Sequence, residues 1–418
     1  MNFIFAIKFL LLYPKLISTY VADPDEDRDP SQLIESRGYR AQIHHVETKD
    51  DYILTMFRIV NKSDLAYREK WATSKTPKYP VILQHGLLSS GGDWLIASSG
   101  GGTIMNNVTG KISPSNNLGF VLADYGYDVW LSNSRGNTYS RGHKHLDSKT
   151  DHKFWKFSYD QMIEFDTPAI IDYVLNATKR ETLGWVGHSQ GTMMMFGFLS
   201  QFPEQSHKIK PFIALAPVAR VKEVTAPLRY AAKIPLIQKM LTQIPSEFMP
   251  NNPIVSIISK IVCKTQLREI CSNLAFMIMG VGSKQLDERR LPVYFAHVPA
   301  GTSIQNIIHF GQNVKHGRFA KFDYGFFKNE KIYGSLKPPL YPIEKIMNPH
   351  IVLMHSSNDA LADPSDVNWL KSQLKVPLMG DHLIPIPSWN HIDFLWGRDA
   401  GKYVHSLVLD HLKNFRHS

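Results

Sequence analysis

The stretch "TLGWVGHSQGTMMMFGFL", residues 182–199, decides how this chain is organised. A short apolar run precedes Ser189, a longer one follows it, and Gly187 and Gly191 lie two residues to either side. The pattern is typical of a tight turn from a strand into a helix, in which a side chain at either glycine would collide with neighbouring backbone. Such a turn would place the Ser189 hydroxyl on an exposed corner. Because Gly-x-Ser-x-Gly also arises by chance in about one chain in ten of this size, its surroundings must support it.

Short apolar runs typical of strands buried on both faces recur along the chain. They are "YPVILQHG" (79–86), "YDVWLSN" (127–133), "LGWVGH" (183–188), "FIALAPVA" (212–219), "HIVLMHSSND" (350–359) and "LIPIPSW" (383–389). Helical signals lie between them: Ser158 and Gln161 form a candidate capping box, and Thr167 with Pro168 is expected to restart a helix. The alternation of strands and helices predicts an α/β fold with a mostly parallel central sheet flanked by helices.

Two further patterns describe the ends of this sheet. "YRAQIHHVE" (39–47) and "DYILTMFRI" (51–59) alternate apolar and polar residues around a short turn, which predicts an antiparallel hairpin at a sheet edge. "VHSLVLDHLKNF" (404–415) predicts a closing amphipathic helix.

The regular alternation stops after Ala219 and returns after Tyr341. The intervening sequence holds amphipathic and apolar helical segments, which predicts an inserted cap. We therefore expect a signal peptide (1–22), an N-terminal part of the core (23–219), a cap with a lid (220–341) and a C-terminal part of the core (342–418).

Composition excludes several classes of protein. The 418-residue chain is 43% hydrophobic, which is enough for a large core and excludes disorder as its main character. Its net charge of +10 comes without a lysine- or arginine-rich block of the kind that grips nucleic acid. No segment beyond the leader is long and apolar enough to cross a membrane. We expect no nucleic-acid partner, no transmembrane anchor, a soluble mature protein and a monomer.

The N-terminal leader points to the secretory route. It has an apolar run too short to span a bilayer, interrupted by Lys8 and Lys15 and followed by an acidic segment. Three glycosylation sequons, at Asn61, Asn107 and Asn176, agree with that route. We expect a secreted or lysosomal protein.

The chain has only two cysteines, Cys263 and Cys271. Their number excludes a disulfide-dense scaffold and argues against a cysteine zinc site. On a continuous helix they would lie about 12 Å apart, so a disulfide between them requires a break in that helix. No motif calls for a metal or a cofactor.

A serine nucleophile needs a base, usually a histidine held by a carboxylate. In a sheet of this kind these residues follow the serine in the order carboxylate and then histidine, each in a loop after a strand. His391 lies after the last predicted strand and before the last helix. Asp359 and Asp363 both follow the strand before it. Asp363 precedes Pro364, so a role as helix N-cap already explains it, and we favour Asp359 as the partner of His391.

Two backbone N–H groups would stabilise the oxyanion of such a reaction. Gln190, directly after the nucleophile, is one candidate donor, and Leu87 in the loop after "VILQHG" is the other. His85 and Gly86 at that loop can alternatively be read as simple turn residues. We expect His188 to pack beneath the turn rather than to act as a base.

Six motifs together resemble one family. They are "LQHGLLSS" (83–90), "YDVWLSNSRGNTYSR" (127–141), "FWKFSYDQM" (154–162), "GHSQGT" (187–192), "NDALADPSDV" (358–367) and "NHIDFLWG" (390–397). In this order they resemble the acid lipases, the group of gastric and lysosomal acid lipases with their insect relatives. The resemblance implies an α/β-hydrolase core, a helical cap with a lid, and hydrolysis of neutral lipids at a lipid–water interface without a metal or cofactor. It implies Ser189, Asp359 and His391 as the triad and Leu87 and Gln190 as oxyanion donors.

One departure from the family pattern lies in "IASSGGGTIMNNVTGKISPSNN" (96–117), which is longer and richer in glycine than the family's link at this point. We expect the rim of the site to differ there.

The segment 251–280 is a candidate lid. Ile254, Ile257, Ile258 and Ile261 fall on one face at helical spacing. That face can either pack permanently on the core or cover the Ser189 pocket in water and turn outward onto lipid. The whole chain likewise has two other interpretations, a soluble carboxylesterase acting on short esters and a non-catalytic lipid carrier.

Overall fold

The computed structural model describes residues 22–60, 78–105, 109–225, 246–249 and 283–416. Its strands are β1 (Arg40–Glu47), β2 (Tyr52–Val60), β3 (Pro80–Gln84), β4 (Thr103–Met105), β5 (Ile112–Pro114), β6 (Asp128–Leu131), β7 (Gly142–His143), β8 (Leu183–His188), β9 (Ile209–Leu215), β10 (Glu247–Phe248), β11 (Thr302–Ser303), β12 (Ile351–His355) and β13 (Gly380–Leu383).

The α-helices of the described residues are α1 (Pro30–Ser36), α2 (Leu118–Asp124), α3 (Tyr159–Gln161), α4 (Thr167–Thr178), α5 (Gln190–Gln201), α6 (Leu291–His297), α7 (Ile304–His316), α8 (Phe326–Tyr333), α9 (Pro364–Gln373), α10 (Asp393–Trp396) and α11 (Ser406–Leu412). Within the described ranges, each of them falls short of the length and hydrophobicity needed to cross a bilayer.

The central sheet has the strand order β1-β2-β6-β3-β8-β9-β12-β13, with β7 paired to β2. From β6 to β13 neighbouring strands are parallel, whereas β1, β2 and β7 pair in antiparallel fashion. The predicted edge hairpin is confirmed, with Arg40 opposite Val60 and Glu47 opposite Ile53. The predicted α/β fold with a mostly parallel sheet is therefore correct.

Helices cover both faces of the sheet, as consecutive residues of β8 show. Gly184 and Trp185 point to opposite sides because side chains alternate along a strand. A methyl group at Gly184 would lie 2.9 Å from Leu412 of α11, while Trp185 Nε1 donates to Gly191 O at the start of α5, at 3.2 Å. Every residue of β8 is buried as a result, which explains why its sequence is apolar up to His188.

The predicted position of the last strand was wrong. The expected strand covered 383–389, but β13 ends at Leu383, where the expected strand begins. Ile384 N still donates to His355 O at 2.8 Å. Pro385 and Pro387 then lack the N–H groups that would continue the ladder, so the chain leaves the sheet.

The helix predicted to begin at Thr167 and Pro168 is confirmed as α4, but it does not start independently of the helical turn before it. The capping box is present, since Ser158 N donates to Gln161 Oε1 at 2.8 Å and the Ser158 side chain caps the helix in return. From there the helical path continues through a π-helical turn, Met162–Asp166, into α4 without a side-chain cap. The wider turn accommodates Pro168, whose ring and missing N–H do not fit an uninterrupted α-helix.

Between β9 and β12 the chain leaves the central sheet. The described part of this stretch contains α6, α7, α8 and a small two-stranded sheet of β10 and β11, and it adds no strand to the central sheet. The glycine-rich stretch 96–117 contains a separate short hairpin, β4 with β5.

Several predictions lie outside the described residues. They concern most of the signal peptide, the sequons at Asn61 and Asn107, the lid segment 251–280, and Cys263 and Cys271. Asn176 is described, and its side chain is exposed on α4. The domain boundaries stay predictions.

Candidate active site

Ser189 occupies the turn between β8 and α5 in a strained backbone conformation, with φ 54° and ψ −117°. A positive φ is uncommon for a residue with a side chain and is tolerated only where the surroundings fix it. Ser189 N donates to Leu215 O of the neighbouring strand at 3.1 Å, and the N–H groups of Thr192 and Met193 donate to Ser189 O. The serine is thus held at the carboxyl edge of the sheet by the backbone on both sides.

The two glycines flanking Ser189 are required by crowding, as the sequence predicted. A Cβ at Gly187 would lie 2.7 Å from the carbonyl carbon of Gly191. A Cβ at Gly191 would overlap Gln84 O and lie 2.9 Å from His85 O. Real Cβ atoms do not approach backbone this closely, so the turn forms only with glycine at these positions.

His391 and Asp359 meet in the way that the sequence predicted for a base and its carboxylate. His391 Nδ1 lies 2.9 Å from Asp359 Oδ2 and 3.0 Å from Asp359 Oδ1. The backbone N–H groups of Leu361 and Ala362 also donate to Asp359 Oδ1, at 2.9 and 2.8 Å. Burial raises the pKa of Asp359, but the charge of His391 and these donors outweigh it, and the net shift of the pKa is downward. The carboxylate stays ionised and fixes the proton on Nδ1 of His391.

Asp363 has the other role that the sequence allowed. It precedes α9 as its N-cap and accepts a hydrogen bond from Ser365 N at 2.8 Å. Pro364 occupies the first helical position. This carboxylate is therefore committed to the helix start.

His188 connects the serine turn to the histidine loop. Its ring lies 4.8 Å from the His391 ring, and its Nε2–H donates to His391 O at 2.9 Å. Burial and the nearby His391 lower the pKa of His188 to about 3, so the ring is neutral. His188 packs beneath the turn and holds the backbone of His391.

The loop after β3 comes close to Ser189. A Cβ at Gly86 would lie 3.2 Å from Ser189 Cβ, and the next residue but one, Leu88, has a positive φ of 62°. Within the described ranges, neither Leu87 N nor Gln190 N donates to an acceptor in the protein. Both candidate donors are thus available to a ligand beside the serine.

His85 does more than form a turn. Its Nδ1–H donates to Gly86 O at 2.7 Å, and its Nε2 accepts from Ser134 N at 3.0 Å. Burial lowers the pKa of His85 to about 4, which keeps the ring neutral and this pattern of donor and acceptor intact. His85 therefore positions the loop that carries Leu87. A histidine at the end of an apolar strand was the available signal, but its partner lies 49 residues away in sequence.

The side chain of Gln190 points toward α7. Its Oε1 accepts from Asn306 Nδ2 at 2.8 Å, and Asn306 Oδ1 accepts from Tyr159 N at 2.8 Å. Both amide side chains are buried. The residue next to the serine is consequently fixed to a helix of the stretch between β9 and β12, a contact that sequence spacing does not reveal.

Asp393 is a second buried carboxyl group near His391, and sequence reasoning missed it. It accepts hydrogen bonds from Ser283 Oγ, at 2.7 and 2.8 Å, and from Asn390 N at 2.8 Å. Burial raises its pKa to about 6, against the effect of these donors, and the charge of Asp359 adds to the rise. It ties the chain at Ser283 to the loop that carries His391.

The class of the protein follows from its sheet, its serine turn and two family models. A model described as "alpha/beta hydrolase fold" matches residues 79–257, and one described as "Partial alpha/beta-hydrolase lipase region" matches residues 30–98. A solved structure of a putative lipase from Sulfolobus solfataricus agrees in fold, with a TM-score of 0.56 at 17% identity over 90% of this chain and 95% of that one. The protein is an α/β-hydrolase.

Its relatives narrow the class further. The chain is 38% identical to human lysosomal acid lipase/cholesteryl ester hydrolase over 94% of its own length and 93% of the relative's. It is also 38% identical to gastric triacylglycerol lipase from Bos taurus, over 93% of this chain and 91% of that one. The chain belongs to the acid lipase family.

Proposed function

We propose that this protein hydrolyses carboxylic esters of neutral lipids, triacylglycerols or cholesteryl esters, through an acyl-enzyme. Relatives over nearly the whole chain carry those two activities in their names. The observation that carries the proposal is the buried contact of His391 Nδ1 with Asp359, 2.9 Å long, in a loop that is hydrogen-bonded to His188, the residue before the strained Ser189.

In the proposed reaction Ser189 Oγ attacks the ester carbonyl carbon while His391 Nε2 takes the hydroxyl proton. The negative charge that develops on the carbonyl oxygen is stabilised by Leu87 N–H and Gln190 N–H, each contributing about 3 kcal/mol to lowering the barrier. His391 then protonates the leaving alcohol. Water attacks the acyl-enzyme with the same histidine as base, which releases the fatty acid and restores Ser189. Asp359 keeps the Nδ1 proton in place throughout.

The test uses the full chain and its Ser189→Ala variant on two substrates, an emulsified long-chain triacylglycerol and a soluble short-chain ester. We expect the wild-type protein to cleave the emulsion and the variant to lose several orders of magnitude in rate on both substrates. Full ester turnover by a folded variant would reject the assignment of Ser189. Cleavage of the short ester alone would identify a soluble carboxylesterase, and cleavage of neither would identify a lipid carrier.

The segment 251–280 is proposed as the lid of this site, within a cap that spans 220–341. An apolar helix face would cover the pocket in water and turn onto lipid. Replacing Ile257 and Ile261 with Asp should spare hydrolysis of the short ester and sharply reduce activity on emulsion. Equal losses on both substrates with a lowered melting temperature would show that these side chains belong to the core.

Passage through the secretory pathway, to the exterior or to lysosomes, is also proposed. It is supported by the leader, the sequons and the names of the lysosomal and gastric relatives. Protein from a secreting eukaryotic cell should lose mass on treatment with a peptide N-glycosidase. A chain that keeps residues 1–22 and carries no glycan at Asn61, Asn107 or Asn176 would contradict this proposal.

A further inference from the structure

One short segment of the chain, α8 with the loop that follows it, carries an unusual set of exposed apolar side chains. Phe327 is 93% exposed, and the others are each more than half exposed: Phe326, Ile332, Leu336 and Leu340. Single exposed apolar residues are normal, but a group of large ones in one segment marks an interaction surface. We call these five residues, together with Lys328, Lys331 and Lys337, the α8 surface.

The three lysines give the α8 surface its charge. Lys328, Lys331 and Lys337 are all exposed, and Glu330 is the acidic residue among them. Within the described residues, none of the three lysines forms a salt bridge. Apolar side chains beside free ammonium groups fit a lipid layer whose surface is negatively charged, because rings enter the layer while lysines contact its acidic groups.

The α8 surface is built on a fixed scaffold. Asn329 is buried beneath it, accepts from Tyr324 N at 2.9 Å, and donates to Asp323 Oδ1 and Leu336 O at 2.8 and 3.0 Å. One buried amide therefore joins the chain before α8, the helix itself and the loop after it. The phenylalanines point outward because the helix is held in this orientation.

The position of the α8 surface relates it to the candidate active site. Tyr324, just before α8, packs against a small apolar cluster that Phe322 forms with Ile304 and Ile308 of the N-terminal half of α7. Asn306, in the same half of α7, donates to the side chain of Gln190, the residue after Ser189. Contacts through α7 thus connect the α8 surface to the residue that follows Ser189.

We propose that the α8 surface docks the protein onto neutral-lipid droplets that carry fatty-acid carboxylates at their surface. The choice of lipid rests on the proposed function, because fatty acid is a product of the proposed hydrolysis. Phe326 and Phe327 enter the lipid layer, and the three lysines contact carboxylates. Binding consequently strengthens as hydrolysis proceeds.

The experiment measures flotation of the full chain with triolein droplets coated with phosphatidylcholine, with and without oleate, at neutral pH. All proteins carry Ser189→Ala so that the droplet surface does not change during the assay. One test variant is Phe326→Ser with Phe327→Ser, and the other is Lys328→Gln with Lys331→Gln and Lys337→Gln. Matched controls are Ile104→Ser with Ile112→Ser, two exposed residues of the β4–β5 hairpin, and exposed lysines elsewhere, Lys149→Gln, Lys375→Gln and Lys402→Gln.

The phenylalanine variant should lose at least about tenfold in partition onto both kinds of droplet, because two rings no longer enter the lipid. The lysine variant should lose about fivefold per lysine on oleate droplets only, and added salt should reduce that difference. Both control variants should bind like the parent protein. Because every substituted side chain is exposed, melting temperatures should be unchanged. If the phenylalanine pair nevertheless lowers the melting temperature, Phe327→Ser alone gives the result.

Three outcomes would overturn the proposal. In the first, the phenylalanine variant floats like the parent. In the second, the lysine variant loses binding equally with and without oleate. In the third, the parent is a dimer in solution and the phenylalanine variant is a monomer, which would make a second copy of the chain the partner. Flotation does not require catalysis. If the protein shows no ester hydrolysis that depends on Ser189, the proposed function is rejected, but the flotation result remains valid.

Discussion

The loop after β3 and the loop after β12 both leave the carboxyl edge of the parallel sheet, and each leads to a buried aspartate. Asp93 and Asp359 are 0% and 3% exposed. Burial raises the pKa of Asp93 to about 7, and within the described residues no hydrogen bond of normal geometry reaches its carboxylate oxygens. The pKa of Asp359 is lowered despite equal burial, because His391 and two backbone N–H groups donate to it. Whether a buried carboxyl group is ionised thus depends on its hydrogen-bond donors rather than on how deeply it is buried.

The two loops also differ in what holds them. The loop after β3 is held by the hydrogen bonds of His85, and its start is also packed tightly against α5, since a methyl group at Gly191 would overlap Gln84 O. The loop after β12 is fixed by hydrogen bonds that converge on Asp359. We expect the first loop to be sensitive to added volume and the second to be sensitive to changes of charge at constant volume.

The largest effect should come from Asp359→Asn, which changes charge with little change in volume. Without the carboxylate, the correct tautomer of His391 is lost, and kcat on a soluble ester should fall about 10⁴-fold. Asp363→Asn is the matched control. Asparagine caps a helix as well as aspartate does, so kcat should hardly change. Equal losses in the two variants would show that the loop after β12 does not act through Asp359.

Next in size is Gly191→Ala, which adds volume without charge. A backbone clash of this kind should lower the free energy of unfolding by at least about 3 kcal/mol or prevent folding. At Gly100 the nearest atom to a new Cβ is Ser98 Oγ at 3.8 Å. Gly100→Ala should therefore change stability by less than about 0.5 kcal/mol. Thermal melts of both variants give the measurement, and similar melting temperatures would mean that the serine turn can shift to make room.

The smallest expected effect is a change in the pH dependence of stability in the Asp93→Asn variant. The pKa of Asp93 in the folded protein, about 7, lies above its unfolded value of about 3.9. Its contribution to stability is therefore complete below the unfolded pKa and is lost as pH rises through 7. Asparagine cannot ionise, so the stability of the variant relative to wild type should rise between acidic and mildly alkaline pH by on the order of 2 kcal/mol.

Urea titrations over a pH series would check this, with Asp359→Asn as the contrasting variant. The pKa of Asp359 is lowered, so its contribution is present above the unfolded value and is lost as pH falls through the folded pKa. The stability difference for Asp359→Asn should hence change only in acid. A flat difference for Asp93→Asn would mean that Asp93 is ionised in the folded protein.

The sequence predicted those parts of the molecule that depend on short spacing. The two glycines around Ser189 and the proline after Asp363 are local signals with a direct steric meaning, and both led to correct structural statements. The pairing of Asp359 with His391 could be predicted because each follows a strand of the same sheet edge.

What the sequence did not reveal depends on contacts between distant residues. His85 is bound by Ser134, and Gln190 by Asn306, and no spacing encodes these pairs. The raised pKa of Asp93 depends on the burial of its carboxyl group, which composition cannot express. The π-helical turn before α4 accommodates Pro168 where two helical stretches join.

Strands β9 and β12 are direct neighbours, with Phe212 opposite Ile351 and Leu215 opposite Met354. The chain therefore leaves the sheet at the carboxyl end of β9 and rejoins it at the amino end of the adjacent strand β12. Evolution can lengthen, shorten or replace the stretch between these strands without changing the pairing register of any strand, as long as a hydrogen-bond partner for the Gln190 side chain is kept. A protein engineer could do the same by grafting the corresponding stretch of a relative between these two strands, which would exchange the α8 surface and keep the strands that position Ser189.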